Sequence, residues 1–383
     1  MKRVDIAVVG AGILGLAHAY MLSKMGLEVV VFEKNPAPSS YSSFSDGIIS
    51  PSKLAPSPVR NLANRSSVLW REVIAEIDAW INPFGGIALA TAELDMVLYH
   101  EFAERQTQVH SSAQVLRNEQ VFEFAPMVNQ QSVIGGLHFT SDFAIDPGGF
   151  IADLVEHLRT QMNVEFYFGT LVTGVDDGYV GNDDVMVQAS EVIVCAGIEY
   201  QPLFTEVFKN AKLGISAVQQ IRIEPTGERL DTGAFLRSPL YTYHAPSFVI
   251  CPSLPKFRNE ILDRFKTELE FGIDHFATQL RHGTIVIGSS YRGTNSNTLP
   301  RDEEVDRVLL NASRKIIDDT QYEVVDRRIS FVSTGPGGPV NVLRVKPKVR
   351  LVNITGDLGT TLAFAVAEDV ALEILGKSES NLV

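Results

Sequence analysis

Val4-Asp5-Ile6-Ala7-Val8-Val9-Gly10-Ala11-Gly12-Ile13-Leu14-Gly15 is the stretch on which the fold turns, and the residues from there to Glu33 complete the pattern. Val4 to Val9 is an apolar run of strand length that breaks into three closely spaced glycines. Leu16 to Met25, free of proline and rich in Ala, Leu and Met, reads as a helix closed by Gly26. Glu28-Val29-Val30-Val31-Phe32-Glu33 reads as a second strand that ends on an acid. Strand, G-x-G-x-x-G, helix, strand and terminal acid together make the signature of a dinucleotide-binding βαβ unit.

The chemistry explains the spacing. Gly10 permits the tight turn, Gly12 lets the backbone approach a pyrophosphate, and Gly15 allows helix and strand to pack closely. The helix start, with Ile13 and Leu14 in its first turn, offers free N–H groups and a positive dipole end to phosphates. Glu33, followed by Lys34, is placed to hold the adenosine ribose hydroxyls. An acid there without a neighbouring arginine favours FAD or NAD over NADP, whose extra phosphate it would repel.

Composition narrows the class. The 383 residues, 45% hydrophobic and 21% charged, suit a globular chain of two domains or one large one. A formal charge of −13 argues against a nucleic-acid scaffold or an anionic-membrane binder. Cys195 and Cys251 are too few for a disulfide framework or a Cys-rich zinc site, which points to a reducing cytoplasm. The uncharged run Ile6 to Ser23 imitates a secretory signal, yet Asp5 and the glycines break that pattern, so no stable membrane insertion is expected. No His or carboxylate set has metal spacing, and no Gly-x-Ser-x-Gly elbow supports hydrolase chemistry.

Two further segments favour FAD over NAD. Residues 37–51 form a small-residue loop rich in hydroxyls, where an NAD domain would continue with another βα unit. Val349 to Gly356 reads as a strand running into Gly356-Asp357-Leu358-Gly359-Thr360-Thr361, with a helix from Leu362 to Leu375 beyond it. A second helix start aimed at the ligand suits an isoalloxazine ring, whose N1 and C2 carbonyl become electron-rich on reduction.

With these segments in place the chain resembles the glycine oxidase, D-amino-acid oxidase and sarcosine oxidase group of FAD-dependent amine oxidoreductases. The likeness runs through the N-terminal fingerprint, Asp146-Pro147 opening the helix Gly148 to Thr160, Glu191 to Gly197 with Cys195-Ala196-Gly197 at its end, and Thr355 to Thr361. Within that group Gly47-Ile48-Ile49-Ser50-Pro51, Leu62 to Ser66, Leu69-Trp70 and Cys251-Pro252-Ser253-Leu254 resemble a subfamily associated with phosphonate utilisation. The resemblance implies cofactor contacts from Ser42, Ser43, Gly47 and Ile48, from Cys195, Ala196 and Gly197, and from Gly356, Leu358, Gly359, Thr360 and Thr361. It also implies that the backbone of Val172 holds the adenine. Ser45 stands where the group has Asn, Asp357, Leu358 and Thr360 replace the subfamily's Gly, Ala and Met, and neither Arg327 nor Arg328 aligns with the group's carboxylate-binding arginine. Ser333 to Val340 carries no cysteine for a covalent flavin bond, so non-covalent FAD is expected.

The implied architecture is α/β: a Rossmann-like FAD-binding domain (residues 1–80, 144–212 and 326–383) interleaved with a mostly antiparallel α+β substrate domain (81–143 and 213–325). Periodicity predicts helices over Pro58 to Trp80 and Arg301 to Thr320. Strands are predicted to predominate over Gly85–Phe139 and Leu213–Gly293, among them Gly86 to Thr91, Gly136 to Phe139, Ile215 to Glu224, Ser247 to Cys251 and Thr284 to Gly288. Leu240 to His244 reads as strand, with Tyr241 and Tyr243 on one face, as core or surface aromatics or as phenols lining a pocket, and His244, a structural or functional histidine, on the other. Arg292 and Lys53 are candidates for anchoring a substrate anion. Arg344, Lys346, Lys348 and Arg350 alternate around Pro347 and read as a solvated edge.

The expected reaction is hydride transfer from a small amine, amino acid or aminophosphonate, giving an imine that hydrolyses to a carbonyl, with oxygen or another electron acceptor closing the cycle. Oxidation of a 2-hydroxy acid and non-catalytic FAD binding are the competing readings.

Overall fold

Apolar runs such as Val4 to Val9 need cover on both faces, and the computed structural model shows what provides it. It describes residues 1–38, 41–109, 112–200, 203–226, 233–294, 299–318 and 322–377. Ser39 and Ser40 of the hydroxyl-rich loop, and residues 319–320 of the predicted helix ending at Thr320, fall outside these.

Strand Lys2–Val9 lies between Val29–Glu33 and Met186–Val194, parallel to both. Glu165–Phe168 and Val349–Ile354 extend the parallel set outward, and short antiparallel strands finish its edges. Alternation sends Ile6, Val8, Val31 and Ile193 to one face, and Ala7, Val9, Phe32 and Val194 to the other. Both faces are buried, as a parallel sheet requires.

Four helices cover the first face: Ile13–Lys24, Pro58–Glu76, Pro147–Thr160 and Gly359–Ile374. Trp70 joins three of them, meeting Phe150 at 4.6 Å and Phe364 edge-on at 4.7 Å, while its Nε1 donates to Thr360 O at 2.9 Å. Asp146 caps Pro147–Thr160 by accepting from Gly149 N.

The second sheet runs in the order Tyr322–Thr334, Gly214–Pro225, Ile285–Thr294, Ile273–Gln279, Phe235–Arg237, Gly86–Ala90, Gly135–Phe139 and Ala113–Arg117. All its pairings are antiparallel except that of Phe235–Arg237 with Gly86–Ala90. Helices Glu93–Arg105, Leu254–Arg264 and Glu303–Arg314 pack on one face. Near its other edge, Leu213, Ile215, Ala217 and Phe331 share a core with Val9, Phe32 and Val194, which fixes one sheet against the other. The result is an α/β fold with parallel and antiparallel sheets.

The structure corrects several expectations. Leu240 to His244 is not strand: Pro239–His244 is a short helix, capped by Ser238 Oγ accepting from Leu240 N, with proline in its first turn. Pro246–Ile250 is a 3-10 turn where the sequence predicts a strand. The stretch Gly85–Phe139 carries helices Glu93–Arg105 and Asn118–Phe124 between its strands, and 213–293 carries Leu254–Arg264 and Lys266–Glu270. The basic alternation around Pro347 is a hairpin between Val340–Lys346 and Val349–Ile354. Arg350 is not solvated there: it is buried, with Nε 2.7 Å from Glu191 and a further ion pair to Glu373. Among the described residues no helix is long and apolar enough to cross a membrane, and no cluster has the make-up of a metal site.

Candidate functional site

Two glycines of the first turn, Gly10 and Gly15, are fixed by contact. Gly10 has φ +105°, and a Cβ there would sit 2.7 Å from Cys195 O. A Cβ on Gly15 would sit 1.9 Å from Gly10 O, so helix and strand can approach only with hydrogen at that position. The helix beyond the turn begins at Gly12 with no side-chain cap. Its start therefore retains backbone donors for an anion.

These elements wall a cavity of about 680 Å³. Gly10, Gly12, Ile13 and Leu14 line it from the first turn, Glu33 and Lys34 from the end of the second strand, and Ser42 from the hydroxyl-rich loop. Val172, Cys195, Ala196 and Gly197 line it from the carboxyl ends of neighbouring strands, and Gly356, Gly359 and Thr360 from the C-terminal turn. Gly15, Ser43, Gly47, Ile48, Leu358 and Thr361 do not line it. Thr361 Oγ1 accepts from Ser50 N at 3.3 Å and ties the loop to the closing helix.

The Glu33 carboxylate is buried and accepts from Ala11 N at 2.9 Å, Asn35 N at 3.0 Å and Asn35 Nδ2 at 2.8 Å. Those bonds hold its oxygens at the cavity wall with lone pairs left over for hydroxyl donors. Ser42 Oγ accepts from Ile13 N at 3.2 Å, which docks the loop on the helix start. Asn353 lines the cavity with a buried Nδ2 that has no hydrogen-bond partner among the described residues. An orphaned buried donor, uncapped helix starts and a carboxylate beside the glycine turn fit a dinucleotide carrying a ring rich in acceptors. Glu33 would take the ribose, the start of Ile13–Lys24 the phosphates, and the turn at Gly356 the ring.

The far end of the cavity is formed by the second sheet. Val218, Gln220, Tyr291 and Ser330 line it there, with Asp46 and Asp357 also in the lining and near enough to act on Tyr291. Gln220 Nε2 is held by Ser289 Oγ at 2.9 Å. Burial, with Asp357 and Asp46 nearby, drives the Tyr291 phenol well above its ordinary range, so it stays protonated.

None of the five substrate-side candidates lines this cavity. Lys53 Nζ lies 3.3 Å from Asp274 and pairs with Asp357 as well. Burial works against its charge, but the two carboxylates overcome that and raise its pKa. Arg292 pairs with Asp302 at 2.7 Å at the start of Glu303–Arg314. Tyr241 is fully buried, with the Arg237 guanidinium 4.0 Å from its ring centre and its Oη 3.4 Å from Ser52 Oγ. Tyr243 is half-buried in the core of the second sheet, and His244, stacked edge-on against it, is exposed.

The sequence gives no warning of a buried polar network behind the loop. Arg237 donates to Ser50 Oγ at 2.9 Å and faces Asp142 at 3.9 Å, while Asp142 also accepts from Ser50 and Ser52. Burial outweighs these favourable contacts and raises the Asp142 carboxyl. The partners are far apart in sequence, so no spacing signals them. Asp46 does carry a signal, since it lies inside the hydroxyl-rich loop.

A family model described as FAD dependent oxidoreductase, DAO, matches residues 5–372. Among solved structures, glycine oxidase from Bacillus cereus superposes with a TM-score of 0.79 at 16% identity, covering 99% of this chain and 97% of that one. L-proline dehydrogenase from P. horikoshii gives 0.79 at 18%, covering 100% and 96%. At such identities the likeness is one of fold. Glycerol 3-phosphate oxidase of Mycoplasma pneumoniae is 25% identical over 190 residues, 46% of this chain and 47% of that protein. The matches to curated relatives span less than half of those proteins' own lengths.

Proposed function

Because the chain belongs to the DAO family of FAD-dependent oxidoreductases, we propose that it oxidises the carbon–nitrogen bond of a small amine, amino acid or aminophosphonate. The product is an imine that hydrolyses to a carbonyl compound. The carrying observation is the continuous cavity that runs from Glu33 and the first glycine turn to Tyr291 and Gln220 of the antiparallel sheet. Bound non-covalently at the cavity residues, FAD supplies the two-electron acceptor. The protein's part is to hold the substrate against the ring with its reacting C–H aligned and to keep water out. We place the phosphonate-associated subfamily, and with it an aminophosphonate, within this proposal on the sequence of Gly47 to Pro51 and Cys251 to Leu254. Oxygen or another acceptor then re-oxidises the cofactor, and the two free buried cysteines suit a reducing compartment.

The likeness to glycerol 3-phosphate oxidase favours a second reading, oxidation of a hydroxyl-bearing substrate. Anaerobic bleaching of the flavin discriminates. Bleaching by glycine, 2-aminoethylphosphonate or a simple amine supports the first reading. Bleaching by glycerol 3-phosphate or a 2-hydroxy acid alone replaces it with the second.

A further inference from the structure

We propose that Asp46 receives the ammonium group of the substrate and accepts its proton, a role that rests on the amine oxidation proposed for this cavity and makes Asp46 a catalytic residue of it. Among the described residues three carboxylates line the cavity: Glu33, Asp46 and Asp357. Glu33 is occupied by Ala11 and Asn35, and Asp357 is held by Lys53. Asp46 accepts one bond, from Ile48 N to Oδ1 at 3.0 Å, and among the described residues no ion pair reaches it. Among the described residues its second oxygen has no hydrogen-bond or ion-pair partner.

Position supports the same assignment. Asp46 sits in the loop immediately before Gly47, whose φ of +71° and tight contact with Ile145 O, 2.2 Å from where a Cβ would be, fix the backbone there. The bond from Ile48 N to Oδ1 holds the Asp46 carboxylate against that backbone. Among the described residues lining the cavity, Lys34 is the one cation, and it follows Glu33 at the opposite end. The charged groups around Asp46 are Arg237, Asp357 and Lys53. Arg237 is engaged with Ser50 and Asp142, and Lys53 with two carboxylates. The free charge at this end of the cavity is therefore negative, which suits a cation.

An amine arrives at neutral pH as ammonium, with its nitrogen lone pair tied up in an N–H bond. Oxidation needs that pair. The N–H bond breaks, an O–H bond forms on Asp46 Oδ2, and the electron pair stays on nitrogen. Nothing is oxidised in this step. Burial lifts the Asp46 carboxyl to about 6, so it is ionised at neutral pH yet basic enough to take a proton. A neutral alcohol requires no such partner.

The test uses the FAD-loaded protein and its Asp46→Asn and Asp46→Glu variants, with glycine, 2-aminoethylphosphonate and benzylamine as probes. In the parent, kcat/KM for anaerobic flavin bleaching rises through about pH 6 and falls above the pKa of the probe amine, because ammonium is the form bound. In Asp46→Asn it drops about 100-fold at neutral pH and climbs continuously toward the amine pKa, and Asp46→Glu restores part of the loss. A readout independent of turnover is the binding of tetramethylammonium, followed by the flavin spectrum, which weakens roughly 10-fold in Asp46→Asn with loss of one charge pair. An intact flavin spectrum shows that each variant is folded. A parental rate, pH profile and tetramethylammonium affinity in Asp46→Asn would overturn the role of Asp46 and leave amine oxidation standing. Failure of every amine to bleach the parent at any pH removes amine oxidation, and the role of Asp46 with it.

Discussion

Glu33 and Lys53 show how differently two charged residues can be read. Glu33 is readable from a local rule, since βαβ dinucleotide units place an acid at the end of the second strand for the ribose, the role proposed for Glu33. Replacing it with Ala leaves Ala11 N–H without its acceptor and removes the hydroxyl partner. FAD affinity is expected to fall roughly 10- to 100-fold, as read by titrating apoprotein with FAD. Lys53 reads as an anion anchor from its place beyond the loop. Its actual partners, Asp274 and Asp357, lie 221 and 304 positions away in sequence, so nothing local could reveal them. Lys53→Met should strand two carboxylates beside the cavity and cost on the order of 2 kcal/mol, seen as a lower urea midpoint with an unchanged slope. Arg237 and Asp142 escape a sequence reading for the same reason of distance.

Among the elements, those governed by contacts within a few residues are legible. The strand, glycine turn, helix and strand from Val4 to Glu33 are readable because the pattern is contiguous and Gly15 must clear Gly10 O only five residues away. Gly15→Ala puts a methyl group onto Gly10 O. The expected outcome is protein that is insoluble or lacks flavin, measured by the ratio of flavin to protein absorbance. The helix Pro239–His244 imitates a strand because two tyrosines at i and i+2 satisfy the strand pattern over so short a span. The Ser238-Pro239 pair is the better signal, as a cap before a residue already set for the first helical turn. Helix Pro58–Glu76 is visible from its periodicity, but its role is not, because Trp70 meets Phe364 almost three hundred residues later. Trp70→Ala is expected to cost about 3–5 kcal/mol in a denaturant titration, since it empties the contact between three helices.

At the scale of the whole molecule, buried histidines set the response to acid. His18 and His275 are fully buried, and burial holds both down to about 4. The unfolded chain binds those protons from about pH 6.5 downward, so protonation favours unfolding across that window and stability falls as pH drops. Asp46, raised to about 6, acts in the opposite sense, because the folded state protonates first, and it offsets part of the loss. Between pH 7 and 5 the net loss is expected to be on the order of 2 kcal/mol, measured by urea unfolding at the two values.

The helix Ile13–Lys24 packs beside Gly359–Ile374, with Tyr20 edge-on to Phe364 at 6.0 Å. This neighbourhood dictates an order of events during synthesis. The glycine fingerprint leaves the ribosome more than three hundred residues ahead of the helix that covers it and of the turn that completes the cavity. Until residue 374 has emerged, Leu16, Tyr20 and their apolar neighbours lack a lid, and the nascent chain exposes a sticky surface that invites chaperone protection. Cofactor capture is in this way a checkpoint, passed only by chains in which two segments far apart in sequence have found each other.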